Sequence, residues 1–223
     1  NSSAELSATV MSSGINVSNV PVTFIVTAED KSVKEYSTTA VNGLALVTVP
    51  SSDLKLGVYK VIAKAGSDCA TSEAYIPVFD ASGSFVTGGG WIYSPAGAMP
   101  SNLEATGKAN FGFVSKYKKG SSQVDGNTEF QFSAGSINFK STMHESGSLV
   151  IASGKATYRG SGTVNGETGY KFTIVAIDSE LRSNVEADQF RIKIVDSKNQ
   201  IVYDNGLGAA ENDDVATTLG NNG

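Results

Sequence analysis

The chain has very few of the residues that most often carry catalysis or bind zinc. Its 223 residues include one Cys, Cys69, and one His, His144. A lone Cys cannot form an intramolecular disulfide, and one Cys with one His cannot complete a four-ligand zinc site. A Ser-His-Asp triad would have to use His144, and a Cys-His pair would need Cys69 beside it. We therefore predict no enzyme activity and no catalytic residue.

Positive charge and long apolar runs are also scarce. Lys and Arg number 17 against 22 Asp and Glu, so the net charge is −5 and nucleic acid is excluded as the leading partner. No run of 18 apolar residues is present, so the sequence predicts no membrane-spanning helix. The chain begins Asn-Ser-Ser without a Met, and we interpret it as a processed product or an excised fragment.

The composition favours an all-β protein. Apolar residues make up 40 % of the chain, charged residues only 17 %, and there are 24 glycines. This mixture is typical of β-rich chains with many turns, and it differs from the highly charged mixture of disordered chains. No segment has apolar residues at helical spacing over three turns.

Residues 1–80 predict an immunoglobulin-like β-sandwich. Short alternating segments follow one another with turn signals about every ten residues. Val22, Phe24 and Val26 alternate along one such segment, and Asn42-Gly43 is a strong two-residue hairpin signal.

Residues 85–223 predict a second, aromatic-rich β-sandwich-like domain. Phe111 and Phe113 alternate on one predicted strand, and Asn165-Gly166 predicts another hairpin. The small polar residues 80–84 separate the two halves and are the predicted linker.

Both halves resemble bacterial exported proteins. The pattern NG-x-A-x-V-x-V followed by G-x-Y-x-V-x-A, at residues 41–49 and 57–63, resembles bacterial immunoglobulin-like repeats. The second half resembles a C-terminal module that follows such repeats, through the segments 85–92 (FVTGGGWI), 107–117 (GKANFGFVSKY), 129–132 (EFQF), 190–194 (FRIKI) and 202–205 (VYDN). The resemblance implies a β-rich, non-enzymatic module that is secreted or displayed on the bacterial cell surface.

Two aromatic residues on one strand are candidates for ligand stacking. Trp91 and Tyr93 are two residues apart, so they share a face and could stack on one sugar. The favoured alternative is that they are apolar anchors of the core, because the chain has one Trp and needs large apolar side chains there. The preceding run Gly88-Gly89-Gly90 lacks the Lys-Ser/Thr and helix of a phosphate loop, and it favours a close backbone approach beside Trp91.

Polar candidates lie in predicted loops. Asp178, Glu180 and Asp188 are the residues that we predict for a calcium site, because calcium prefers carboxylate and carbonyl oxygens; the alternative is a solubilising acidic rim. His144 is predicted in a solvated loop, and Cys69 is predicted to be a structural or incidental free thiol in a turn. Three lysines could contact an acidic polysaccharide or an anionic surface, or could simply be solvated: Lys116, Lys118 and Lys119.

Two chain ends are candidate assembly strands. Leu6, Ala8 and Val10 alternate with polar residues near the N-terminus, and residues 215–223 are uncharged. Related modules carry a further apolar strand at their end, so a missing strand would leave a groove for a neighbour's strand. The leading hypothesis is a structural or adhesive module that assembles into a filament or layer, with a monomer whose arms fold back in cis as its alternative. The second hypothesis is an accessory module that binds carbohydrate or calcium. The predicted partners are accordingly other copies of the chain or a surface polysaccharide.

The predicted linker is testable by limited proteolysis. Cleavage should fall within residues 80–84 and leave two resistant pieces, because the hydrophobic alternation of both halves stops there. Mass spectrometry of the fragments locates the cut. A first cleavage inside either half, with no stable pair of pieces, would contradict the predicted boundary.

Overall fold

The computed structural model of the chain describes residues 3–28, 30–55, 57–66, 70–78, 85–118, 120–182, 185–210 and 216–220. The protein is all-β with antiparallel sheets, as predicted, and 62 % of the described residues are in strands and 3 % are helical. The chain divides into two compact units, Asn1–Val78 and Phe79–Gly223. The predicted linker, residues 80–84, and Cys69 lie outside the described residues. No helix in the described ranges is long and apolar enough to cross a membrane.

The first unit is built from short antiparallel strands. Its described elements are β1 (Ala4–Thr9), β2 (Met11–Ser12), β3 (Ile15–Asn16), β4 (Pro21–Thr27), β5 (Val33–Thr39), β6 (Leu44–Val49), a 3-10 turn (Ser51–Asp53), β7 (Gly57–Ala65) and β8 (Ala70–Val78). Four strands form a sheet in the order β5-β4-β7-β8, while β1 pairs with β6 and β2 with β3. The predicted immunoglobulin-like topology of this unit stays a prediction.

The core of the first unit follows the alternation in the sequence. Val22, Phe24 and Val26 on β4 are buried together with residues of β1, β6 and β7. The predicted Asn42-Gly43 turn is present, and both of its residues have positive φ, as a tight hairpin turn of this type requires.

The N-terminal arm is folded into its own unit. β1 pairs with β6 along its whole length, from Ala4 opposite Val49 to Thr9 opposite Leu44. Leu6 and Val10 are buried, and Ala8 packs against the same core. The arm predicted as a free assembly strand is therefore paired in cis, because its alternating apolar side chains complete the core of the unit.

The second unit consists of longer strands. They are β9 (Phe85–Ser94), β10 (Gly107–Tyr117), β11 (Val124–Phe132), β12 (Ile137–His144), β13 (Val150–Ala152), β14 (Lys155–Val164), β15 (Glu167–Ile177), β16 (Gln189–Val195), β17 (Ile201–Asp204) and β18 (Thr217–Thr218), with a 3-10 turn at Ser133–Gly135.

These strands form one curled sheet instead of the predicted two-sheet sandwich. The order is β17-β16-β15-β14-β12-β11-β10-β9, with β13 on β14 and β18 on β16. Short connections such as the predicted Asn165-Gly166 turn keep most sequence neighbours adjacent in the sheet. A twisted sheet of this size buries one face by curling on itself. Phe111 of β10 and Phe190 of β16, five places apart in the sheet, accordingly stack with ring centroids 3.7 Å apart.

A buried ion pair connects β16 to the end of β17. Arg191, only 1 % exposed, donates from Nε to Asp204 Oδ1 and from Nη2 to Asp204 Oδ2, both at 2.9 Å. Nη1 and Nη2 also donate to the carbonyls of Ala210 and Ala209, respectively. The segment after β17 thus supplies two further acceptors to the buried Arg191.

The neighbours of Asp204 extend this network to the rest of the sheet. Asn205 accepts a hydrogen bond from the Ile192 N–H and donates to the Phe190 carbonyl and to Thr217 Oγ1, so it joins β16 to β18. The Tyr203 hydroxyl donates to Ser94 Oγ on β9 at 2.9 Å. The segment VYDN, noted in the sequence for its resemblance, therefore contacts both ends of the curled sheet.

Breaking the buried ion pair should destabilise the second unit strongly. Asp204→Asn leaves the Arg191 cation buried without a counter-charge, and we expect the free energy of unfolding to fall by about 3–5 kcal/mol. Urea unfolding followed by the fluorescence of Trp91, the one Trp of the chain, reports on this unit.

Glu145→Gln is the matched control. Glu145 is more than half exposed and lies 3.5 Å from Arg159, so its loss should cost less than about 1 kcal/mol. Equal losses for the two variants would show that the buried pair does not support the unit in this way.

Candidate functional site

Within the described residues, only part of the seam of the curled sheet is closed. β18 pairs with the start of β16, with Thr217 opposite Phe190 and Thr218 opposite Gln189. Leu219 then bridges to Ile92 on β9, and the Gly220 N–H donates to the Trp91 carbonyl at 2.9 Å. Residues 217–220 therefore close the seam beside Trp91. In the described part of the chain, no strand pairs with this side of β9 between Val86 and Gly90.

The unclosed part of β9 presents main-chain groups that an added strand could use. In an antiparallel sheet, the N–H and C=O of one residue both point towards the same edge of the strand. The next residue directs its groups to the opposite edge, so the direction alternates along the strand. Trp91 accepts its bond from Gly220 on the side away from β10, so Thr87 and Gly89 direct their main-chain groups to that side as well. We call Thr87 and Gly89 the open edge.

An apolar groove lies beside the open edge. It has a volume of about 470 Å³. Its lining includes the following side chains of the inner face: Val86, Phe111, Phe113, Ala156, Ala176 and Phe190. Ile151 and Leu181, both exposed, stand at its rim. A volume of this size lies within the range of natural ligand sites.

Small residues leave the space that forms the groove. Ala156 and Ala176 face each other across β14 and β15, where larger side chains would fill the interior. The ring of Phe113 packs directly over Gly88, 2.7 Å from where a Cβ would stand. The close approach predicted beside Trp91 thus involves Phe113 at this glycine, while the Trp91 ring contacts Gly220.

The two predicted stacking residues lie on the outer face of β9. Tyr93 is 60 % exposed, and Trp91 is half-buried, with Lys108 Nζ 5.3 Å from its ring centroid and Gly220 against the ring. Neither belongs to the core. The shared face follows from the alternation, but Lys108 and Gly220 already occupy the surroundings of the Trp91 ring.

The acidic residues predicted for calcium are not gathered into a metal site. Asp178 Oδ1 accepts hydrogen bonds from the Glu180 and Leu181 N–H groups, and Asp188 Oδ1 accepts from Ser179 N and Oγ. Among the described residues, no group of three or more His, Cys, Asp or Glu could hold a metal ion. The carboxylates of Asp178 and Asp188 bond within their own loop, and both residues line the groove.

The single histidine is buried, which corrects the prediction of a solvated loop. His144 is 5 % exposed and faces the interior, although simple alternation from Ile137 would place it outside. A bulge between Ser141 and Met143 shifts the register by one residue and turns His144 inward. Alternation counted along the sequence could not reveal this, because a bulge leaves no clear signal here.

His144 belongs to a closed polar cluster. Its Nδ1 lies 3.0 Å from Ser115 Oγ and its Nε2 lies 3.2 Å from Thr128 Oγ1, which is also 2.8 Å from the Tyr158 hydroxyl. Burial lowers the pKa of His144 from 6.5 to about 4, and the charge of Asp125 opposes the shift only in part. The imidazole is therefore neutral at pH 7. Each of its nitrogens lies within hydrogen-bonding distance of a hydroxyl group and not of a carboxylate.

Comparison of the chain with protein-family models, with curated proteins and with solved structures finds no match. The function of this all-β chain with its curled second sheet must therefore be inferred from the groove, the open edge and the surface.

The buried His144 predicts a specific loss of stability in acid. Its folded pKa of about 4 lies below the ordinary value of 6.5, so the unfolded chain takes up the proton first as the pH falls. The free energy of unfolding should decrease by roughly 3 kcal/mol between pH 6.5 and pH 4 through this residue alone.

Comparison with His144→Gln isolates this effect. The carboxylates titrate equally in both proteins, so the difference between their urea-unfolding curves at pH 7 and pH 4 reports on the imidazole. A variant that loses as much stability in acid as the parent protein would contradict the assignment.

Proposed function

We propose that the chain is a non-enzymatic structural or adhesive module of an extracellular bacterial assembly, and that it joins a neighbouring molecule by β-strand addition. The proposal rests on one observation: the open edge of β9 borders an open apolar groove. Unpaired strand edges readily accept another chain.

The groove and the open edge together match what an added strand needs. Main-chain bonds to Thr87 and Gly89 would supply affinity, and alternate side chains would supply register and specificity. Every second side chain of the added strand would enter the groove towards Phe113 and Phe190. The contact would remove apolar surface from water, at roughly 25 cal/mol per Å².

The donor that we propose is an extended segment with alternating apolar side chains from a second copy of the chain. β1 and the residue after it have such alternation at Leu6, Ala8 and Val10, but β1 is paired with β6 in its own unit. Its use as a donor would require exchange between two molecules, which is a common route to assembly from identical subunits.

The chemistry of the interior supports a role without catalysis. The Ser115 hydroxyl and the His144 imidazole lie within hydrogen-bonding distance of each other, yet both are buried in the closed cluster with Thr128 and Tyr158. The lowered pKa of His144 makes it a weak base. The resemblance to bacterial immunoglobulin-like repeats and their C-terminal module supports an extracellular location.

Removal of one outward N–H tests strand addition. Thr87→Pro deletes a donor of the open edge, and proline is tolerated on edge strands where the N–H faces away from the sheet. We expect self-association of the full chain, measured by light scattering over a concentration series, to weaken roughly tenfold. A tenfold change in affinity corresponds to about 1.4 kcal/mol, which is of the order of one lost hydrogen bond.

Two further variants complete the test: one is a matched control for the hydroxyl, and the other tests the groove. Thr87→Val retains the N–H and loses only the hydroxyl that bonds to the Phe113 carbonyl, so it should associate like the parent chain. Ala176→Phe fills the groove and should weaken association without lowering the free energy of unfolding. A parent chain that stays monomeric at every concentration, or equal association of the Pro and Val variants, would refute the proposal.

A further inference from the structure

A second concave site lies on the outer face of the curled sheet, away from the groove. It is a depression of about 430 Å³ over β14, β15 and β16. Three cationic side chains line it, Arg159, Lys171 and Lys193, in a chain whose net charge is −5. We call this concave surface, with its three cationic residues, the cationic depression.

Strand register brings the three cations together from distant parts of the sequence. Arg159 lies opposite Thr173, and Thr173 lies opposite Lys193, so the three residues form one row across the sheet. Lys171 is two residues from Thr173 and points to the same face. Neighbouring strands are roughly 4.8 Å apart and alternate residues roughly 6.7 Å apart, so the cations surround Thr173 closely.

The positive charge of the depression is poorly compensated. One acidic residue, Glu145, also lines the depression; its Oε1 lies 3.5 Å from Arg159 Nη2, and both side chains are about half exposed. Lys171 and Lys193 form no ion pair with any residue that the structure describes. Asp204 lies opposite Lys193 on β17, but Arg191 engages both of its carboxylate oxygens. Clustered like charges repel one another, so an anion that occupies the depression would be bound favourably.

We propose that the cationic depression binds the carboxylate or sulfate groups of an acidic polysaccharide. Arg159 and Lys193 are two strand spacings apart, roughly 10 Å, so separate anionic groups along one extended polymer can each contact a cation. Asn199 also lines the depression and supplies a neutral hydrogen-bonding group for sugar hydroxyls. The site is independent of strand addition, because it lies on the opposite face of the sheet from the groove.

Polymer binding by the full chain tests the site. Calorimetric titrations at low salt compare a polyuronate, dextran sulfate, neutral dextran, inorganic phosphate and single-stranded DNA. We expect the two acidic polysaccharides to bind, neutral dextran not to bind, and the affinity to fall as salt is added, because surface charges are screened. Lys171→Gln combined with Lys193→Gln should lower the affinity at least tenfold.

The matched control is Lys116→Gln combined with Lys118→Gln. It removes the same charge from the same unit, at the lysines singled out in the sequence, and should change the affinity less than twofold. Equal losses of affinity in both double variants would show that net charge alone explains the effect, and this result would overturn the site. Absence of binding to either acidic polysaccharide, or tighter binding of phosphate or DNA, would also overturn it. Thr87→Pro should bind the polymers like the parent chain, so the failure of one proposal is distinguishable from failure of the other.

Discussion

A salt bridge sealed from water, between Arg191 on β16 and Asp204 at the end of β17, holds together the part of the second unit on which both proposed sites depend. Its two ends must stay paired, because an unpaired buried charge costs more than the bridge itself contributes. Asn205 follows directly and bonds to β16 and to Thr217, so the residue next to the bridge also holds β18 against β16. The docking of β18 in turn sets where the seam closes and where the groove begins.

The same strands carry two different surfaces because successive side chains of a strand point to opposite faces. Along β14 and β15, Ala156 and Ala176 point inward and leave the groove, while Arg159 and Lys171 belong to the outer depression. An apolar contact and an electrostatic contact can therefore coexist on one sheet without sharing a side chain. This arrangement suits a module that contacts both a neighbouring protein and a charged polymer.

The interior of the curled sheet is not uniformly apolar. His144 on β12 and three polar side chains around it, from β10, β11 and β14, satisfy one another. Their hydrogen bonds offset the cost of burying them. The bulge in β12 makes this possible, because it turns His144 inward where regular alternation would have placed Met143. One inserted residue thus decides whether the chain's single imidazole meets water or the core.

Local patterns in the sequence determined the all-β class, the inward alternation of Val22, Phe24 and Val26, and the Asn-Gly turns, because each depends only on near neighbours and on residues that tolerate positive φ. Tertiary structure alone decided that the second half forms one curled sheet, because a sandwich and a curled sheet bury the same alternate residues of each strand. It also decided that the carboxylates of Asp178 and Asp188 bond within their own loop, and that Arg159, Lys171 and Lys193 share one depression. Such groupings arise from strand register between residues far apart in the chain, which composition and local spacing do not encode.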